Sequence, residues 1–449
     1  MIIEKINNNP SFRIINPSKN ISYSIEEILG MYTLHSRERC LSFLYLDKHI
    51  NSIAVVLKFI ESEHAIALLD NSISTELKLE LEEKYKPDII YDTKRDSINN
   101  YEFIDSLFYT PIPKENKLNK NIKFLLSTSG TTGSPKFVKL SEDNLFENAR
   151  SIAAYLPINN KSHVPLNLPV FYSYGLSVLL SNSLYGGAIY ATEYSFMQKE
   201  FWEELTQHSY ETFAGVPYNY EILKRIGFLK KKYPSLKYLT QAGGKLSENL
   251  ILEFSNWCSE NSVLFYIMYG QTEASARISY LDPKMIKEKT GSIGKPIKNG
   301  TFKIEEGELN YKGPNVFGGY ATDSIDLETY ESPLWLKTGD LAKVDQDGYY
   351  FITGRIKRFS KINGKRVNLD ELENFIKINF PDNLVAVLND KDKFIKLYSV
   401  ELDNVKEVKK AIYSAYGIHP AKIKLEIINT LPLTSNGKIN YKALKSKDV

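Results

Sequence analysis

The chain is poor in the residues that build covalent or metal scaffolds. Of 449 residues only two are cysteine, Cys40 and Cys258, and no CxxC pair occurs. A disulfide framework or a zinc ribbon is therefore excluded as an organising principle, and the usage fits a reducing compartment. Six histidines show no HxxxH or HExxH spacing, which leaves no basis for a histidine metal cluster. Long apolar runs are also missing. The start, "MIIEKINNNPSF", has no apolar signal core, and no segment approaches the roughly 20 apolar residues of a membrane span. A cytoplasmic protein without a membrane span is expected. A formal net charge of +3 over this length gives no electrostatic footprint for nucleic acid. The basic run "LKKKYPSLKYL" from Leu229 reads as a solvated helix face.

What is abundant is core-forming material. Hydrophobic residues make up 43% of the chain and there are 30 tyrosines, enough for a folded protein, and 449 residues exceed what one hydrophobic core usually supports, so two or more domains are expected. From Leu41, short apolar runs ("LSFLYLD", "AIALLD", "DIIYD") alternate with helically spaced segments ("INSIAVVLKFIES", "STELKLELEEKY"). That alternation marks βαβ units and a parallel sheet. Ser141 is placed to cap a helix with Leu145, Ala149, Ile152 and Leu156 on one face. "GGAIYA", "KYLTQAGG" and "LFYIMYG" read as buried strands ending in small residues, the usual place for ligand loops in open α/β sheets. After about Gly307 the pattern becomes antiparallel: "GELNYKG", then "LWLKTGDLAKV" and "YYFITGRI" joined at Asp347-Gly348, with a second hairpin turn at Asn363-Gly364. "LDELENFIKIN" then opens a small α+β region. The fold class expected is α/β: a large domain over 1–353, with βαβ-type parallel sheets and a β-rich subdomain, and a small α+β domain over 354–449.

Between "IKFLL" and "FVKL" lies "STSGTTGSPK", Ser127 to Lys136. Hydroxyls, glycine N–H groups and a terminal lysine together suit a polyphosphate. The spacing is not GxxxxGK[ST], so this is no mononucleotide P-loop. Nearly letter for letter, it resembles the phosphate loop of the adenylate-forming superfamily, which includes acyl-CoA synthetases, peptide-synthetase adenylation domains and luciferase. Four further blocks follow in that family's order: "YGQTE" at Tyr269, "KTGD" at Lys337, "GRIKRFSKINGKRV" at Gly354 and "PLTSNGKINYKAL" at Pro432. The resemblance runs from about Leu41 to the end.

The resemblance implies ATP, Mg²⁺ and a pantetheine thiol, either coenzyme A or the phosphopantetheine of an acyl or aryl carrier protein. Thr128, Ser129, Gly130, Thr131, Thr132, Gly133 and Lys136 are then phosphate-binding. Tyr269, Gly270, Gly243 and Gly244 flank adenine and the acyl pocket, and Thr272 and Glu273 serve catalysis, with Glu273 as magnesium ligand. Asp340 is implied to take the ribose hydroxyls, Arg355 ribose or phosphate, Lys357 the hinge and Lys438 the catalytic ammonium. The chemistry agrees with each role. A carboxylate beside substrate phosphates is what Mg²⁺ takes, and an ammonium between carboxylate and α-phosphate offsets charge in an in-line transition state.

Phe171, Tyr172 and Tyr174 fall in the block that partly sets the family's acyl pocket. Amino-acid-activating relatives commonly carry an aspartate where this chain has Tyr172. A buried ammonium without that counter-charge is costly, so a small aryl or acyl acid is expected rather than an α-amino acid. An amino-acid-activating enzyme, or a non-catalytic nucleotide-binding relative, are the alternatives. Survival of Glu273, Asp340, Arg355 and Lys438 speaks against the second. The short segment before the loop leans slightly toward a stand-alone ligase serving a carrier protein. "ATDSIDL" around Ser324 resembles a phosphopantetheine site but falls in a connecting segment, and too few residues follow Lys438 for a fused carrier domain.

Overall fold

A computed structural model describes residues 2–35, 38–111, 117–127, 136–356, 358–362, 365–380, 385–390, 394–400, 404–434 and 439–446. The phosphate loop Thr128–Gly133, Lys357, the Asn363-Gly364 turn and Lys438 lie outside the described residues.

The alternation read from Leu41 onward folds as expected. Strands Leu41–Leu46, Ala65–Asp70 and Ile89–Asp92 are separated by helices Ile50–Glu61 and Thr75–Tyr85. With strand Phe124–Ser127 they form the parallel centre of an eight-stranded sheet. Both faces of that centre are covered, and the period of two shows it. Leu44, Leu46, Ile66, Leu68, Phe124 and Leu126 enter one core, while Phe43, Tyr45, Ala65, Ala67, Leu69 and Leu125 enter another. The edges of this sheet are antiparallel. Strand Phe137–Leu140 returns directly beside Phe124–Ser127, with Ser127 opposite Phe137, because the nine residues between them are too few for the crossover that a parallel pair needs.

Helix Glu142–Ala153 begins as expected. The Ser141 hydroxyl accepts from the Asn144 amide, and the Asn144 side chain accepts from the Ser141 amide in return. A second sheet holds Ala214–Gly215, Tyr238–Gln241 and Leu264–Tyr269 in parallel, with antiparallel strands Ser279–Leu281 and Lys295–Pro296 at its edge. A third sheet pairs Ala188–Tyr190 with Arg13–Asn16 near the start of the chain. The antiparallel region is a four-stranded sheet in which Leu336–Val344 joins Tyr350–Arg355 through a turn with Gly348 at φ 78°. Ser324 precedes a single 3-10 turn, Ile325–Glu328, not the α-helix that a carrier site requires.

The residues beyond Gly354 contain a three-stranded sheet with helices Leu369–Asn379 and Val405–Tyr416 packed around their own core of Leu372, Ile376, Val387, Leu397, Val408 and Ile412. The Asn368 amide donates to the Thr353 carbonyl at 3.0 Å and ties this unit to the strand before it. Cys40 and Cys258 are buried and form no disulfide. No helix among the described residues is long and apolar enough to cross a membrane.

Candidate active site

Three parallel strands deliver site residues at their carboxyl ends: Ser127 opens the phosphate loop, Gln241 leads into Gly243-Gly244, and Tyr269 leads into Gly270, Thr272 and Glu273. At Gly270 the chain folds back on itself so closely that a Cβ would sit 1.7 Å from the Ala276 carbonyl oxygen. Only glycine fits there, and the reversal is what places Thr272 and Glu273 on a short turn, Thr272–Ala274, at the sheet end.

Glu273 faces the phosphate loop through a residue the sequence did not single out. The Tyr320 hydroxyl donates to Glu273 Oε1 at 2.8 Å, and Lys136 Nζ lies 3.3 Å from the centroid of the same ring. Tyr320 is fixed by its pairing opposite Val138 on the strand that leaves the loop, and the Phe317 amide donates to the Glu273 carbonyl at 2.9 Å. A cation, an aromatic face and a carboxylate are thus held together at the loop's mouth. Burial, and then the nearby Glu273 carboxylate, push the Tyr320 phenol well above its ordinary range.

Asp340 sits on strand Leu336–Val344, directly opposite Arg355. Gly339 before it adopts φ 74°, in the left-handed region that favours glycine, and lets the strand turn the carboxylate inward. The Tyr269 hydroxyl donates to Asp340 Oδ2 at 2.5 Å, and Arg355 Nε lies 3.2 Å from Oδ1. Asp340 is buried, while the Arg355 side chain is 62% exposed. Burial raises the Asp340 carboxyl above the usual carboxylate range, and Arg355 and the Tyr269 hydroxyl pull in the opposite direction. Each carboxylate oxygen keeps a further lone pair, so two more hydroxyl donors can be accepted.

Phe171, Tyr172 and Tyr174 stand at the start of helix Ser173–Tyr185, the last two buried with rings 6.2 Å apart, edge to face. The neighbouring Ser173 and Thr272 hydroxyls stand 3.4 Å apart, which joins this aromatic wall to the Glu273 turn. The Tyr174 hydroxyl donates to Thr240 Oγ1 at 2.9 Å, and Gly243 and Gly244 follow that strand. The wall also contains Arg277, buried and 3.8 Å from the Tyr174 ring centroid. Sequence reading passed over it, because an arginine ahead of a short strand carries no signal of burial. Lys438 and Lys357 fall outside the described residues. The chain either side of Lys438 is tied by a bridge between Leu433 and Ile439 and by the Asn440 amide donating to the Pro432 carbonyl at 2.7 Å.

Comparison with known proteins followed from this geometry. The family model described as "AMP-binding enzyme" matches residues 26–321. A 2-succinylbenzoate–CoA ligase of Listeria monocytogenes is 27% identical over 333 residues, covering 72% of this chain and 69% of that one. Among solved structures, the o-succinylbenzoate CoA synthetase (MenE) of Bacillus subtilis with the acyl-adenylate intermediate OSB-AMP aligns at a TM-score of 0.78 and 22% identity, covering 99% of this chain and 97% of that chain. The same enzyme with ATP and magnesium ion aligns at 0.77 and 22% identity, covering 99% and 98%. An ATP-bound RpMatB-BxBclM chimera aligns at 0.80 and 18% identity, covering 99% and 98%.

Proposed function

Since this chain belongs to the AMP-binding enzyme family, we propose that it is an AMP-forming acid–thiol ligase that joins a small aryl or acyl carboxylic acid to coenzyme A. In the first half-reaction a carboxylate oxygen attacks the α-phosphorus of ATP, giving an acyl-adenylate and pyrophosphate. In the second, a thiolate attacks the acyl carbon and AMP leaves. The observation that carries the reading is the convergence of Tyr269, Asp340 and Arg355 on one side and Glu273, Tyr320 and Lys136 on the other, at the mouth of the hydroxyl-rich loop.

In this reading Asp340 accepts the ribose hydroxyls, Tyr269 and Arg355 hold its carboxylate in place, and the loop Thr128–Gly133 with Lys136 binds the β- and γ-phosphates. Glu273 is the protein's ligand for magnesium. The donor set fits: Mg²⁺ takes one or two carboxylates beside substrate phosphates rather than an all-protein cage, and no group of three or more metal-binding side chains occurs among the described residues. When bound, that ion supplies charge neutralisation of the leaving pyrophosphate. Thr272 and Ser173 lie where the reacting carboxylate enters, against Phe171, Tyr172 and Tyr174. Residues 354–449 form the smaller domain, which turns about Lys357 between half-reactions.

The relatives are named as coenzyme A ligases, which supports coenzyme A as acceptor over the carrier protein toward which the short segment before the loop leaned. Their named acid, 2-succinylbenzoate, is the first candidate substrate. Incubation with ATP, magnesium, coenzyme A and that acid should yield AMP and an acyl-CoA by mass spectrometry. AMP formation that ignores coenzyme A but responds to a carrier protein would reassign the acceptor.

Two outcomes arise directly from the geometry. Tyr320→Phe keeps the ring under Lys136 and frees Glu273 from its hydroxyl donor, so the magnesium needed for half-maximal activity should fall about three- to tenfold. An unchanged or raised requirement would mean that the phenol and the ion do not compete. Tyr269→Phe removes one of the donors that lower the Asp340 pKa, so the carboxyl rises further. Affinity that depends on ionised Asp340 is present above that pKa and lost as pH falls through it. The acidic limb of ATP binding should therefore move to higher pH in the variant, measured by titration at several pH values, and an unmoved limb would separate Asp340 from nucleotide binding.

A further inference from the structure

Four cationic side chains among the described residues are buried: Lys78, Lys123, Lys139 and Arg277. The first three are neutralised or solvated by oxygen. Lys78 meets Asp92 and Asn71 at 2.7 Å, Lys123 meets the carbonyls of Phe59, Ser62 and His64, and Lys139 meets those of Asp326 and Thr329. Arg277 is different. Its Nε donates to the Met268 sulfur at 3.3 Å, it hydrogen-bonds the Tyr155 side chain, and its guanidinium stacks on Tyr174. No described carboxylate pairs with it. A thioether and a phenol are weak compensation for a desolvated guanidinium, whose planar fork suits a carboxylate.

The position is built, not incidental. Asn148 donates to the Arg277 carbonyl at 2.8 Å and Asn315 donates to it at 3.0 Å, which clamps the backbone from two sides. Arg277 borders a cavity of about 20 Å³ shared with Ser177, Ser181, Asn182, Thr240 and the aliphatic residues around them. Arg277 lies against the Tyr174 ring, and Tyr174 adjoins Ser173, whose hydroxyl stands 3.4 Å from that of Thr272. An acid whose reacting carboxylate lies by Thr272 and whose body runs along that ring would bring its far end to Arg277.

We propose that Arg277 is the counter-ion for a second carboxylate at the far end of the substrate, so that the enzyme activates dicarboxylic acids and rejects acids with a neutral or cationic tail. This rests on the acid-adenylating function proposed above. The Tyr174 ring lies 3.8 Å from the guanidinium carbon, and with Nε on the Met268 sulfur the terminal nitrogens of the fork are the ones suited to a carboxylate. An α-ammonium in the same pocket would meet a buried cation, which is a second reason, besides Tyr172, for excluding amino acids.

The test is acid-dependent ATP–pyrophosphate exchange with 2-succinylbenzoate and its two mono-acid analogues, 4-oxo-4-phenylbutanoate and 2-butanoylbenzoate, beside a panel of other matched diacids and mono-acids. In the wild-type protein kcat/KM for the best diacid should exceed that for its mono-acid analogues by about 100-fold. Arg277→Gln should erase that preference while keeping ATP affinity and mono-acid exchange, and Arg277→Lys should retain part of it. Equal use of mono-acids by the wild-type protein, or an Arg277→Gln loss that is the same for both classes, overturns the assignment while leaving the ligase reading intact. Silence of the wild-type protein on every acid would sink both, and the failure would then lie with the function. The wild-type comparison requires no variant to fold.

Discussion

Lys438→Ala is expected to lower acid-dependent adenylation by about 10²- to 10³-fold while ATP affinity changes little. An ammonium placed between the attacking carboxylate and the α-phosphate meets charge that is largest in the transition state. Its loss therefore appears in kcat rather than in nucleotide binding. The thioester-forming step, assayed separately by supplying a preformed acyl-adenylate, should be much less affected if, as proposed above, the smaller domain turns between the two steps. Folding should survive the change. The segment bearing Lys438 is closed by the Leu433–Ile439 bridge, and Tyr441 just beyond it donates to Glu373, which also pairs with Arg358. None of those contacts involves the lysine side chain. An unaltered adenylation rate would take Lys438 out of the mechanism.

Asp340→Ala should act earlier, on nucleotide affinity. Removing this carboxylate deletes the proposed acceptor for ribose and also leaves the Tyr269 hydroxyl and Arg355 without the anion they share. A hydrogen bond to a charged acceptor contributes about 1.5–3 kcal/mol, so losing the carboxylate that takes two ribose hydroxyls should raise the Kd for ATP by about 30-fold or more, with AMP affected in parallel. Calorimetric titration of both nucleotides checks it, with a thermal melt of the variant to separate loss of binding from loss of fold. Equal affinity in variant and wild type would make the Tyr269–Asp340–Arg355 group a structural brace between two strands.

The parts of this site that were legible in the sequence are those carried by local pattern. The βαβ alternation from Leu41 is legible because strand faces repeat every two residues and the fully covered sheet reads as near-continuous apolar runs. Asp340 and Glu273 were legible through ordered motifs. What the sequence hid depends on contacts between distant segments. Arg13–Asn16 is only four residues long and finds its partner at Ala188–Tyr190 across the chain, with no local signal of pairing. Tyr320 reaches Glu273 only because a two-residue strand pairs opposite Val138. Arg277 looks like any surface arginine until burial and partners are known, and its burial is the property on which the substrate argument depends.

The antiparallel return of Phe137–Leu140 shows the same limit from the other side. Its direction is set by the shortness of the nine-residue connection to Phe124–Ser127, too few residues for a parallel crossover, and apolar spacing alone does not encode direction.

The most direct measurement of the central claim is ATP–pyrophosphate exchange as a function of added acid, across aryl, fatty, short-chain, dicarboxylic and amino acids. Magnesium-dependent exchange with an aryl or acyl acid, strongest for one bearing a second carboxylate and absent with amino acids, is the predicted result. Tight ATP binding with no exchange for any acid in the panel would contradict the account and leave a nucleotide-binding relative without ligase chemistry.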